Sequence, residues 1–306
     1  MNPHSRANVT AWEVVSDETS GADVKLWLRD PDLGGLWLYK AVTEKNGHQQ
    51  GEDWAELATS QIAIALGIPC ATIRLAEYDG HAGVLSLDLK PDGFDLQPGY
   101  VVMQAHPIPE FVPGNVKGRP GHSLANIQRV LEGTGVPPGS DLPSWMDGFG
   151  AFAGYVMLDA LVANRDRHDE NWAVLIPATG NASRHLCGSY DHAGSLGYNL
   201  REAERERRLD GAGPTVAEWA AKGTAWRLEH DPGSPMTLVQ AADQAFDLAG
   251  PEVRSHWLGR LEAVEGPLGD VALAGLNALS APCTTFVSSL LEINRRRVLD
   301  ECGRTA

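Results

Sequence analysis

LDALVANRDRHDENWAVL, residues 158–175, is the stretch that decides how this chain is read. It sets Asp166, His168 and Asn171 on a short polar loop between two apolar runs. Upstream, DGFGAFAGYVMLDALVA puts Phe149, Phe152, Val156 and Ala160 at helical spacing, so a helix leads straight into the loop. Downstream, WAVLIPA reads as a strand, TGNAS as a turn and HLCGSY as the returning strand, which ends at Asp191. A hairpin of that form brings Asn171 and Asp191 together, although they are 20 positions apart (191 − 171).

An Asn and an Asp at one hairpin mouth offer hard oxygen ligands of the kind Mg²⁺ prefers. Asp166, at the start of the loop, then faces an acceptor hydroxyl. Its separation from Asn171 is five positions (171 − 166), the spacing between base and metal-binding Asn in the catalytic loop of protein kinases. Taken alone, Asp191 reads first as a turn or helix-capping carboxylate before Gly194; the loop upstream reverses this in favour of the metal role.

Working outward toward the N-terminus, WEVV (12–15), VKLWLR (24–29) and LWLYKAV (36–42) are β-prone runs separated by turn-rich segments. They predict an antiparallel three-strand meander. GEDWAELATSQIAIALGIP then carries Leu57, Gln61, Ile64, Ala65 and Ile68 near helical spacing, with Gly67 and Pro69 as stop signals. ATIRLAEY and GVLSLDL flank the turn DGHA as two further strands, and GYVVMQA (99–105) reads as a strand closing this first unit. Beyond residue 106, Pro- and Gly-rich connectors separate helical patterns, ending in FVSSLLEINRRRVLDEC. The expected architecture is α+β and two-lobed, with a small antiparallel β-sheet lobe over 1–105 and a mostly helical lobe over 106–306.

Composition narrows the function classes. Of the 306 residues, 43% are hydrophobic and 21% charged, as in an ordinary folded protein long enough for two lobes. The formal charge of −15 repels a phosphate backbone, so direct nucleic-acid binding is not expected. No apolar run approaches the roughly 20 residues that span a bilayer, and the N-terminus lacks a secretory apolar core, which predicts a cytoplasmic protein with no membrane partner. Cys70, Cys187, Cys283 and Cys302 are scattered, without a CxxC pair, and read as buried or incidental thiols.

DRHDEN followed by SYDHAGSLG resembles the catalytic and metal-binding segments of HipA-like kinases, whose fold is related to protein and phosphoinositide kinases. GADVKLWLR, LWLYKAV and ELATSQIAIALGI are similar, in order, to that family's nucleotide-loop, strand-lysine and helix-glutamate segments. The resemblance covers residues 12–200; the remainder matches only in being helical. It implies an ATP- and Mg²⁺-dependent kinase acting on a hydroxyl, that of a protein Ser or Thr first and of a small molecule or inositol second. It also implies an antitoxin-like partner. A catalytically silent nucleotide-binding module is the competing reading, against which the joint presence of Lys40, Glu56, Asp166, Asn171 and Asp191 argues.

Carried residue by residue, the resemblance gives Lys40 the ATP phosphates and Glu56 the pairing with Lys40, with Glu52 as the alternative partner. Ser20, Gly21 and Ala22 fall where the phosphate-covering loop would lie, though a hairpin turn explains them equally. Met103 and Gln104 would bring backbone groups to adenine. Asp166 and His168 compete for the role of base, with Asp166 preferred; Asn171 and Asp191 hold the metal. Arg167 makes a structural ion pair or meets a phosphate. His192 and the late Gly194 depart from a DFG pattern. By position, Ser195 and Ser20 are the candidate phosphosites.

Overall fold

The computed structural model describes residues 6–17, 25–179 and 183–304. The first lobe is built on β1 (Ala7–Asn8), β2 (Glu13–Asp17), β3 (Lys25–Arg29), β4 (Leu36–Ala41), the short hairpin β5 (Glu44–Lys45) and β6 (His48–Gln49), α1 (Glu52–Leu66), β7 (Ile73–Tyr78) and β8 (His81–Leu87). Six of these strands form one sheet in the order β1-β7-β8-β4-β3-β2, antiparallel except for the β1–β7 pair. The expected meander is β2–β3–β4, and the DGHA turn joins β7 to β8. Period-two alternation sorts the side chains of β4. Trp37 and Tyr39 enter a small apolar cluster with Leu26, Leu28 and Leu85, so Lys40, next after Tyr39, faces the other way, opposite Val84 and Lys25 in the ladder.

The chain continues through β9 (Phe94–Pro98), α2 (Gly99–Ala105), α3 (Leu124–Val130), α4 (Gly148–Val162), β10 (Ala173–Pro177) and β11 (His185–Leu186). These are followed by α5 (Glu202–Leu209), α6 (Val216–Ala221), α7 (Leu238–Ala249), α8 (Pro251–Ala263), α9 (Leu268–Ala272) and α10 (Ala281–Cys302). The three-strand sheet runs β11-β10-β9. Every residue of α4 is buried, and it packs against α1, α7, α8 and α10. A helix apolar on all sides can only be central.

One expectation fails. GYVVMQA is helix α2, and the strand is the preceding FDLQP, paired antiparallel with β10. Gly99 starts the helix because its N–H donates to the Trp172 carbonyl at 2.8 Å and a Cβ there would sit 2.2 Å from the Trp172 ring. A short apolar run has no period of its own to tell helix from strand, and contact with Trp172 decides it.

Candidate active site

α4 ends with Ala163 in the left-handed region (φ 55°). Its last turn governs the loop through Asp159. Asn164 Nδ2 donates to Asp159 Oδ1 at 2.7 Å, and the Arg167 guanidinium holds both Asp159 oxygens at 2.8 Å. Arg167 also donates to the Asn171 carbonyl at 2.8 Å and to Ser189 Oγ at 3.1 Å. This resolves its role as structural: it ties the loop to the helix before it and to the segment carrying Asp191. Asn171 Nδ2 donates to the Asp166 carbonyl at 2.8 Å, so the two loop residues are fixed relative to one another.

The Asp166 carboxylate is part-exposed, and its Oδ1 takes Nε and Nη2 of Arg227, both at 2.7 Å. His168 Nε2 lies 3.8 Å from Asp166 Oδ2, beyond hydrogen-bond reach. Burial lowers the His168 pKa, and Arg227 adds to this against the opposing pull of Asp166 and Asp191. Its Nδ1 receives the Glu170 N–H at 3.2 Å, which assigns the remaining ring proton to Nε2.

Asp191 adopts φ 59°, a left-handed conformation uncommon for Asp, and its Oδ1 pairs with Lys40 Nζ at 3.0 Å. Burial works to raise its carboxyl pKa. The Lys40 ammonium, with Lys25 and His168, outweighs burial and holds it down at about 2.

The pairing expected between Lys40 and Glu56 is replaced by two others. Lys40 meets Asp191, and Glu56 Oε1 accepts the His192 N–H at 2.9 Å with His192 Nδ1 at 3.4 Å; Glu56 Oε2 has no hydrogen-bond partner among the described residues. The alternative, Glu52, takes the N–H and hydroxyl of Thr43 at 2.7 and 2.6 Å. The physical reason is the main chain at His192: its buried backbone N–H takes Glu56 Oε1, and the imidazole lies beside the carboxylate without bonding it. His192 Nε2 bonds Ser189 Oγ at 2.7 Å, closing a buried polar chain Asp159–Arg167–Ser189–His192–Glu56 between α4 and α1.

Lys25, Lys40, Asp166, Asp191, Arg165 and Arg227 share one cleft of about 810 Å³. Asn171 stands behind it, buried and joined to Asp166. Met103 and Gln104 lie on α2 away from this cleft, Met103 in the core and Gln104 on the surface, because the run that holds them is a helix packed on the second sheet. The position expected for adenine recognition is therefore not supplied by them. Ser20, Gly21 and Ala22 lie outside the described residues. Ser195 is fully buried, which rules it out as an accessible phosphosite in this conformation.

No protein-family model matches the sequence, and no curated protein matches it. Solved structures do. The Helicobacter pylori proinflammatory kinase CtkA matches with a TM-score of 0.67 and 14% identity over 97% of this chain and 96% of its own. Shewanella oneidensis MR-1 HipA, solved with HipB and operator DNA, matches with a TM-score of 0.56 and 13% identity over 96% of this chain and 69% of its own. The fold is that of the HipA-like kinases. In this HipA-like fold the loop, the Asp191 segment and the Lys40 strand meet at one cleft, and no described helix is long and apolar enough to cross a membrane. Sequence reading missed Arg227 and Trp226, which lie 61 and 60 positions beyond Asp166 in a segment without periodicity. It missed Ser189 and Asp159 as well, whose roles depend on a partner rather than a motif.

Proposed function

We propose that this chain is an ATP- and Mg²⁺-dependent kinase that phosphorylates a Ser or Thr hydroxyl of a protein. The observation that carries the reading is the convergence of Lys40, Asp166 and Asp191 on one cleft, with Asn171 locked to Asp166. The donor set fits the metal: Asn171 spends its amide nitrogen on the Asp166 carbonyl, which leaves Oδ1 for a hard cation, and Asp191 is ionised at neutral pH. Bound there, Mg²⁺ would neutralise phosphate charge while ATP supplies the phosphoryl group.

Asp166 is the base in this reading. The His168 ring offers a proton at Nε2 rather than a lone pair, so it positions the loop. Asp166 takes the acceptor's proton as the new oxygen–phosphorus bond forms and the bond to the departing ADP oxygen breaks. Lys40 and Lys25 face the phosphates from the sheet, opposite each other in the β3–β4 ladder. We also take the passage between lobes at 88–93, where the chain leaves the six-stranded sheet for the three-stranded one, in place of 105/106. A cytoplasmic location and a small antitoxin-like partner belong to the same proposal, the latter supported by the HipB bound in the HipA structure.

The test is incubation with labelled ATP and Mg²⁺, alone and with cell extract. Transfer to protein is expected, and Asp166→Ala or Asp191→Ala should lower it at least about 10²-fold, as for loss of a preorganised charge-placing group. Full transfer by purified Asp191→Ala would overturn the assignment; labelling of a small molecule alone would overturn the protein acceptor.

A further inference from the structure

The wall of the cleft beside Asp166 is unusual for a chain with a formal charge of −15. Three arginines gather there. Arg227 and Arg119 both lie over the Trp226 ring, 3.9 and 5.5 Å from its centroid. Both reach Asn115 Oδ1, at 3.3 and 2.7 Å, and Arg119 also donates to the Gly114 carbonyl. Arg165 reaches only neutral groups among the described residues, the Thr224 carbonyl at 3.5 Å and hydroxyl at 3.0 Å. Against three guanidinium groups stands, among the described residues, one carboxylate in ion-pair contact, that of Asp166, and Arg227 places two nitrogens on a single oxygen of it.

The crowding of cations is felt within the cluster. Burial lowers the Arg119 pKa and Arg227 lowers it further, against the pull of Asp169 and the other acids nearby. Elsewhere in the cleft Asp191 meets Lys40 and Asp53 meets Arg6, while Glu52 accepts the neutral N–H and hydroxyl of Thr43. The guanidinium of Arg165 thus meets no carboxylate among the described residues, and it lies where an acceptor hydroxyl must approach Asp166. Arg165 is exposed, Arg227 and Trp226 are half-buried, and all three line the cleft.

We propose that the acceptor segment carries an acidic side chain, carboxylate or phosphorylated, next to its Ser or Thr, and that Arg165 and Arg227 bind this group. The inference rests on the kinase reading above and specifies its substrate. A second anion competes for Arg227, because a planar guanidinium recognises carboxylate and phosphate in the same paired manner. Engagement of an acidic residue thus draws Arg227 away from Asp166 and leaves the Asp166 oxygen open to the acceptor's proton. The correct substrate uncovers the base; a neutral one leaves it covered.

The experiment uses the full chain with Mg²⁺ and ATP and Ser-containing peptides of three kinds that differ only in flanking residues: acidic, with glutamate or phosphoserine, neutral, with glutamine, and basic, with lysine. A preference of about tenfold or more in kcat/KM for the acidic peptides over the glutamine peptide is expected, the scale of one charge-assisted hydrogen bond. Arg165→Ala should reduce that ratio by raising KM for acidic peptides, and Arg165→Glu should turn the preference toward lysine. Arg165 is exposed, so these variants fold if their melting curves keep the wild-type midpoint. Equal use of all three kinds of peptide, a lysine preference in the wild type, or an unchanged ratio in Arg165→Glu would overturn the proposal while the kinase reading stands. Self-labelling with no transfer to any peptide would also overturn it. Absence of both labelling and transfer would overturn the kinase reading itself, and the proposal with it.

Discussion

Arg167→Ala is the substitution whose consequence can be worked out most fully. The Asp159 and Arg167 side chains are only 3% and 6% exposed, and their two hydrogen bonds are both 2.8 Å long. Burial opposes the Arg167 charge, but Asp159 outweighs it and raises the guanidinium pKa. Truncation strips Asp159 of both guanidinium bonds and leaves its carboxylate buried, with Asn164 Nδ2 as its remaining side-chain donor. Removing one member of a buried pair costs about 3–5 kcal/mol. That is a large share of the roughly 5–15 kcal/mol by which a native protein is stable. At about 2 °C per kcal/mol for a chain of this size, the midpoint should fall by about 6–10 °C.

Urea and thermal unfolding at neutral pH measure this directly. A companion variant, Arg167→Met with Asp159→Asn, removes both charges and should recover much of the loss, because the uncompensated carboxylate is what costs most. The two single changes must therefore be non-additive, with a coupling of about 1 kcal/mol or more. A loss below about 1 kcal/mol for Arg167→Ala, or strict additivity in the cycle, would refute the view that this pair braces the loop.

Three further outcomes are expected. His122 is fully buried, donates Nδ1–H to the Arg227 carbonyl at 2.7 Å and accepts the Trp172 indole N–H at 3.2 Å; burial depresses its pKa to about 4 despite the stabilising carbonyl. Since the unfolded ring (pKa about 6.5) binds more protons than the folded one, stability should fall as pH drops from about 6.5 to 4, by up to ~1.4 kcal/mol per pH unit; an equal slope in His122→Gln would contradict this. Gly154→Ala would bring a Cβ 2.5 Å from the Trp257 ring, and overpacking of this kind costs about 1–3 kcal/mol, so an unchanged melting midpoint would mean the α4–α8 contact is looser than described. Lys40→Met removes the strongest influence holding the Asp191 carboxyl down, so its pKa should rise from about 2, read by NMR titration of the labelled side chain; no movement would remove Lys40 as the cause.

The elements with a clean period were legible in the sequence. The β2–β4 meander, α1 between Gly51 and Gly67, the β7–β8 hairpin and α4 all appear where alternation or helical spacing placed them. Asp166, Asn171 and Asp191 could be grouped because a hairpin makes distant positions neighbours, and the structure places Asp191 and Lys40 in contact. GYVVMQA was misread because its fate depends on Trp172, 73 positions beyond Gly99 (172 − 99). The Glu56 pairing was misread because a lysine in a strand and a histidine after an aspartate are equally plausible partners on paper. Arg227 had no signal at all: only folding brings residue 227 to residue 166.

Between Asp159 and Asn171, five residues, Asp159, Asn164, Asp166, Arg167 and Asn171, are each used twice. Arg167 grips Asn171 through its carbonyl while Asn171 grips Asp166 through its amide, and Asn164 is bound to Asp159 while it steadies the Asp166 N–H. Substitutions along such a closed ring cannot be independent of one another. An alanine scan here should find that the first change does most of the damage and the second adds little. For sequence divergence the same wiring sets a barrier: Asp159, Asn164, Arg167 and Asn171 can drift only as a group, while exposed neighbours such as Arg165 and Glu170 remain free to change and so to retune what the cleft accepts.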